Sequence, residues 1–413
     1  MENREFDVIV WGASGYTGRL VAENLLSQYG PPGEGSRSNL RWALGGRSED
    51  KLNALIADLG PGGAQIPLVL ADSDDRALLD VMAARARVIC STVGPYALYG
   101  SKLVAACVHR GTHYCDLAGE VQWMRTMIDD YHDAARGSGA RIVHACGFDS
   151  IPSDMGVYFV QQQMRARHDV ACSAVKYRAK EFKGGFSGGT IASILNMLDE
   201  GERDPSIAEV LNDPYGLNPQ GQRRGLDGPE RQLPEYEADF DAWVTPFVMA
   251  VINTKVVRRS NALMGYPYGE DFRYDEGTIM PFGMLGFPLA AAMCAGTSAF
   301  NAAASVGSLR QLLARMVPKP GEGPSEQARE SGYYVIEMLG KHPVDASLNI
   351  RARVRGDRDP GHGSTSKMLA ESAVCLAQDP LSSPGGVLTP VSAMGEALLA
   401  RLMENAGVSF EVL

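Results

Sequence analysis

The apolar run FDVIVW, residues 6–11, leads at once into Gly12-Ala13-Ser14-Gly15-Tyr16-Thr17-Gly18 and then into a helix-like stretch over 16–28. Few folds accept that order. A strand with no polar face is covered on both sides, which calls for a parallel sheet between layers of helices. The three glycines let the chain turn tightly and let a ligand approach the main chain. The helix behind them offers unpaired N–H groups and the positive end of its dipole. A diphosphate is the ligand such a loop receives.

The spacing is GxxGxxG. Thr17 stands where a triphosphate-binding GxxxxGK[ST] loop needs its second glycine, and no lysine follows, so that class is excluded. Strand-like runs recur at 41–45, 66–71, 87–92, 112–117 and 141–146, separated by helix-like stretches at 48–59, 74–84, 100–110 and 121–138. Strands alternating with helices predict an α/β, doubly wound parallel sheet of Rossmann type over 1–150. After GFDSIPSD, 147–154, the rhythm changes. A helix over 155–167, a strand within ACSAVKYRAKEF, an irregular loop over 201–236 and strands at 333–338 and 346–354 predict a second α+β domain with a mixed sheet, 151–385. The remaining segment, 386–413, holds a helix that opens near Pro390 and carries Leu398, Leu399 and Leu402 on one face.

A chain of 413 residues with a formal charge of -10 has room for two cores and is a poor partner for nucleic acid. The seven cysteines, at 90, 107, 115, 146, 172, 294 and 375, form no CxxC pair, and no spacing argues for a metal. Reduced thiols in apolar runs point to the cytoplasm. The charged start, MENREFD, leaves no room for a signal peptide. The Gly- and Pro-rich YGPPGEGSRS, 29–38, reads as a surface loop, and 277–309 has no charged residue. That uncharged stretch reads either as a small-residue helix packed internally or against a partner subunit, or as contact with a membrane surface.

Candidate site residues cluster at the predicted strand ends. The second strand ends in Gly45-Gly46-Arg47-Ser48 rather than in a carboxylate. Arg47 can pair a ribose 2′-phosphate through its fork and Ser48 can add a hydrogen bond, which points to NADP over NAD; the plainer alternative stacks Arg47 on the adenine. Asp72 either meets the adenine or caps the following helix. Thr92-Val93-Gly94-Pro95 would keep the chain close to the cofactor, and Tyr96 reads either as a cleft residue or as an ordinary half-buried aromatic. Asp116, Glu120, Asp149 and Asp154 end the fifth and sixth strands, where a cleft beside a dinucleotide would lie. No Tyr is followed four positions later by Lys, and no GxSxG is present, so short-chain dehydrogenase and acyl hydrolase chemistry find no support.

VIVWGASGYTG, ALGGRS, STVGPYALYG, YCDLAGE, GFDSIPSD, NTKVVRRSNAL and GVLTPVSAMGEALLARL together resemble the saccharopine dehydrogenase-like oxidoreductases over nearly the whole length. Within that family the chain is most similar to the mycobacterial trans-acting enoyl reductases. The resemblance implies a Rossmann domain, a mixed-sheet α/β domain and a C-terminal helix that returns to the first domain. It also implies reduction of a double bond in an acyl or polyketide thioester, which can be carrier-bound. The expected mechanism is hydride transfer from NADPH to the β-carbon with a proton delivered to the α-carbon, and Tyr96, Asp149 or a water held by either is the candidate donor. A cytoplasmic homodimer, with peripheral contact to a membrane, is the expected setting. Two other readings stand beside it: an NADPH-binding protein at a lipid surface without turnover, and a dehydrogenase of an amino-acid-type substrate.

Overall fold

The computed structural model describes residues 4–32, 39–184, 200–201, 204–304 and 323–413. Residues 33–38 of the Gly- and Pro-rich loop and 305–309 of the uncharged stretch lie outside them.

Strands and helices alternate from the start: β1 (Phe6–Trp11), α1 (Tyr16–Tyr29), β2 (Trp42–Gly46), α2 (Glu49–Asp58), β3 (Leu68–Leu70), α3 (Arg76–Arg85), β4 (Ala86–Ser91), α4 (Tyr96–Tyr99), α5 (Ser101–Arg110), β5 (His113–Cys115), α6 (Val121–Ser138) and β6 (Arg141–Val143). Every residue of β1 is buried, as a strand covered on both faces requires. Val8 pairs with Trp42 on one side and Val88 on the other. The strands form one parallel sheet in the order β3-β2-β1-β4-β5-β6. The order reverses between β1 and β4, and ligands of such sheets bind beyond the strand ends at that reversal.

The second half runs through α7 (Ile151–His168), β7 (Ala174–Lys183), α8 (Pro205–Asn212), β8 (Glu235–Glu237), β9 (Ala242–Thr245), α9 (Ala250–Leu263), β10 (Arg273–Ile279), α10 (Phe287–Ala304), α11 (Glu326–Glu330), β11 (Tyr333–Lys341) and β12 (Ile350–Gly356). The expected irregular loop over 201–236 therefore contains a helix. β7 pairs parallel with β10 and antiparallel with β11, so this second sheet is mixed. In β12 the residues alternate: Ile350, Ala352 and Val354 are buried while Arg351, Arg353 and Arg355 project from the other face. The buried face lies against α7, where Gly156 sits on Met338 and Val354.

The chain then returns. Helix α12 (Thr365–Gln378) packs on β1, β4 and β5 of the first sheet. Strand β13 (Gly386–Leu388) extends that sheet beside β6, in parallel. Helix α13 (Pro390–Asn405) has Pro390 in its first turn and Thr389 at its N-cap, in a reciprocal capping box with Ser392. Its Leu398, Leu399 and Leu402 are buried. Strand β14 (Val408–Val412) closes the edge of the second sheet against β12. The return thus begins before residue 386, and the last fifty residues fasten both sheets together.

In the uncharged stretch, 277–279 belong to β10, and one side of α10, marked by buried Ala290 and Cys294, meets the body of the molecule. Phe282, Met284, Leu285, Phe287, Leu289 and Met293 are exposed, with Leu285 at 85%. Trp243 anchors this ridge, its ring 4.7 Å from Phe287 and its Nε1–H donating to the Met284 carbonyl at 3.0 Å. Among the described residues no helix is long and apolar enough to cross a membrane.

Candidate cofactor loop and catalytic recess

The glycine loop sits where the sheet order reverses. Gly12 has φ +84°, and a Cβ there would lie 2.6 Å from Val93 Cγ2, so only glycine fits. Helix α1 crosses so closely that a Cβ on Gly18 would lie 2.2 Å from the Gly12 carbonyl oxygen. The loop is held from both neighbouring strands. Gly12 and Ala13 donate N–H groups to the Gly45 carbonyl at 3.0 and 3.1 Å. The Thr92 hydroxyl donates to the Trp11 and Gly12 carbonyls at 3.2 Å each. No side chain caps α1. The N–H groups of Tyr16, Thr17 and Gly18 have no acceptor among the described residues, and Ser14 beside them is exposed. A close-packed glycine turn with open N–H groups at the helix start is what a diphosphate would satisfy, so the residues present fit a dinucleotide.

At the end of β2, Arg47 is exposed, and no carboxylate among the described residues holds it. Ser48 is the N-cap of α2, its hydroxyl accepting from the Lys51 N–H at 3.4 Å. Asp72 is not a helix cap. It accepts the Asp74 N–H at 2.9 Å in a local turn, while Asp75 caps α3 through the N–H groups of Ala77 and Leu78. Val93-Gly94-Pro95 follow β4 beside the loop, with Val93 against Gly12.

The structure places Tyr96 and Asp149 in different settings. Tyr96 is buried and stacks on Trp123 at 5.6 Å. Its hydroxyl donates to the Ser91 carbonyl at 3.2 Å and accepts from the Leu117 N–H at 3.1 Å. Its backbone N–H and that of Ala97 donate to the two carboxylate oxygens of Glu120, at 2.8 and 2.9 Å. Burial, and then the Asp116 carboxylate, raise the phenol well above its ordinary value. Tyr96 braces the end of β4, and its proton is committed to the main chain.

Asp116 is equally enclosed. It accepts the N–H groups of Ala118 and Ala145 at 2.9 and 3.2 Å and pairs with His144 Nδ1 at 2.8 Å. These bonds shape the two strand ends around Asp149. Asp154 is a staple, taking the Ser260 hydroxyl at 2.6 Å and the Val391 N–H at 2.9 Å, and burial raises it to about 7.

Asp149 alone of these carboxylates is half-buried and, among the described residues, bonded to no other side chain. It faces Gly119 and Ile252: its Oδ1 lies 3.8 Å from the direction a Cβ on Gly119 would take, and Ile252 Cδ1 stands 4.0 Å from the same point. Burial raises its carboxyl to about 7; its own backbone N–H lowers it, and Asp116 raises it further. The turn that carries it is fixed on both sides. The Phe148 N–H donates to Thr365 Oγ1 at 2.9 Å, and the Ser150 hydroxyl donates to Asn253 Oδ1 at 3.1 Å. Asn253 in turn donates to Glu276 at 3.0 Å, joining this turn to the second sheet.

Ile252, Asn253 and Thr365 were not singled out in the sequence. The basic pair Arg258-Arg259 reads as solvated surface, yet Asn253, Lys255, Arg258 and Arg259 are all buried. No periodic signal marks their helix as buried.

The saccharopine dehydrogenase NADP binding domain family matches residues 8–143. A trans-acting enoyl reductase of Mycobacterium tuberculosis is 41% identical over 98% of this chain and 97% of that protein. A second protein of that organism, named as a candidate for the same activity, is 43% identical over 99% of this chain and 97% of its own. Among solved structures, apo saccharopine dehydrogenase of Saccharomyces cerevisiae covers 99% of this chain and 100% of its own, with TM-score 0.49 and 11% identity. With an NADP-binding domain and full-length relatives of this similarity, the chain belongs to the saccharopine dehydrogenase-like oxidoreductase family.

Proposed function

We propose that the protein is an NADPH-dependent enoyl reductase acting on an acyl or polyketide thioester that can be carrier-bound. The observation that carries this reading is Asp149: a half-buried carboxyl raised to about 7, bonded to no other side chain among the described residues, in the turn after β6 of the same parallel sheet that carries the glycine loop after β1. Full-length relatives named trans-acting enoyl reductases support the reaction class.

The Gly12–Gly18 loop would hold the diphosphate and Arg47 and Ser48 the 2′-phosphate, with Thr92 and Val93 keeping the chain close. When bound, NADPH supplies the hydride that reduces the β-carbon of the unsaturated thioester. Asp149 donates the proton that the α-carbon takes up, and a carboxyl titrating near neutrality is suited to giving and regaining a proton. Tyr96 and Glu120 hold the floor of the recess rather than touching substrate. Ile252 supplies an apolar wall, which favours an acyl chain over a zwitterion.

A second reading is favoured by the exposed ridge at 282–293: binding of NADPH at a lipid surface without turnover. In either reading the ridge makes peripheral membrane contact, and seven buried free thiols fit a reducing cytoplasm. Screening unsaturated thioesters by loss of nicotinamide absorbance, together with vesicle flotation, separates the two. Turnover that Asp149→Asn abolishes supports the reductase; flotation with no turnover on any thioester supports the second reading.

A further inference from the structure

The glycine loop carries no cation of its own for a diphosphate. Arg19, the nearest basic residue along the chain, is engaged outward with Glu23 and Asp58, each at 2.9 Å. The cation beside the loop comes from the other half of the chain. Arg329, in α11, donates from Nη1 to the Tyr16 hydroxyl at 2.9 Å and to the Pro324 carbonyl at 3.0 Å. Its guanidinium carbon lies 5.6 Å from the centre of the Tyr16 ring. Among the described residues no carboxylate is within ion-pair distance of it, and it is only partly buried.

Tyr16 is fixed from several sides. Its hydroxyl also donates to the Pro324 carbonyl, Gly323 packs on its ring, and the buried His362 ring stands edge-on at 5.1 Å. Burial lowers His362 to about 4, so it is neutral at pH 7 and Arg329 is the cation at this point. A half-exposed guanidinium with no carboxylate partner among the described residues, held by the Pro324 carbonyl and by the hydroxyl of the first residue of α1, is placed to meet phosphate oxygens at that helix start.

We propose that Arg329 is a phosphate-binding residue of the cofactor site, contributed across the molecule to the diphosphate seated at the start of α1. It deepens the NADP assignment. Tyr16 is then the positioning residue that keeps the guanidinium at the loop, and the second half of the chain takes part in binding the first half's cofactor.

The test is a pair of dissociation constants for wild type, Arg329→Gln and Arg329→Lys. The probes are NADPH and adenosine 2′-monophosphate, which carries the phosphate expected at Arg47 but no diphosphate. Arg329→Gln weakens NADPH about tenfold or more and leaves the monophosphate unchanged. Arg329→Lys keeps the charge but loses the fork, so it falls between, and it decides the matter if the glutamine variant does not fold. NADPH affinity unchanged in either folded variant, or both probes weakened equally, overturns the proposal. Wild type that binds neither NADPH nor NADH would instead refute the cofactor reading itself.

Discussion

Gly18 lies so close over Gly12 that a Cβ on the first would stand 2.2 Å from the carbonyl oxygen of the second. The contact sets the height of α1 above β1 and so the position of the open N–H groups at the helix start. Gly18→Ala must push the two apart. Overpacking of this kind costs about 1–3 kcal/mol. The expected result is a lower melting temperature together with loss of measurable NADPH binding by calorimetry.

Arg47 is the residue proposed to select NADPH over NADH. Arg47→Gln should weaken NADPH about ten- to a hundredfold, the worth of a charge-assisted hydrogen bond, while NADH changes little. Fluorescence titration of both coenzymes checks it. Equal losses for the two would return Arg47 to the plainer role of stacking on adenine.

Tyr96 and Asp149, paired as donor candidates in the sequence, should separate in experiment. Tyr96→Phe deletes the bonds to the Ser91 carbonyl and the Leu117 N–H, so it should cost about 1 kcal/mol in chemical denaturation. Its effect on kcat should be small.

As the proposed proton donor, Asp149 should link activity to pH. The proton donor must be protonated, so kcat should fall as pH rises through about 7. Stability follows the same sign. A carboxyl raised from 3.8 to about 7 binds more protons folded than unfolded between those values, so its presence destabilises the fold progressively over that interval. Asp149→Asn should therefore raise the melting temperature more at pH 8 than at pH 5 while removing turnover. A site that stores instability where it works is a common cost of function.

The ridge at 282–293 offers a separate test. Leu285→Glu places a charge on its most exposed side chain and should abolish vesicle flotation, leaving the NADPH dissociation constant unchanged.

Much of the first half was legible because its signals are local. The strand at 6–11, the glycine spacing and the helix at 121–138 depend on neighbours within a few residues, and each is found within a residue or two of its expected place. The cap of α3 shows where local reading stops: Asp72, Asp74 and Asp75 all suit a helix start, and only the backbone geometry selects Asp75. What stayed hidden depends on distance along the chain. Arg329 meets Tyr16 across 313 residues, Asp154 meets Ser260 across 106, and Glu120 reaches back 24 to hold Tyr96. Such contacts leave no periodicity. The burial of Arg258 and Arg259 was hidden for a related reason: Asp227 and Glu230 pair the first, and the carbonyls of Leu217 and Val387 accept from the second.

The most direct measurement is reduction of an unsaturated acyl thioester by NADPH in heavy water, comparing wild type with Asp149→Asn. The account predicts a solvent deuteron at the α-carbon, none at the β-carbon, a wild-type rate that declines above about pH 7, and no turnover by the variant. An Asp149→Asn enzyme that consumes NADPH at the wild-type rate with the same pH profile would contradict it.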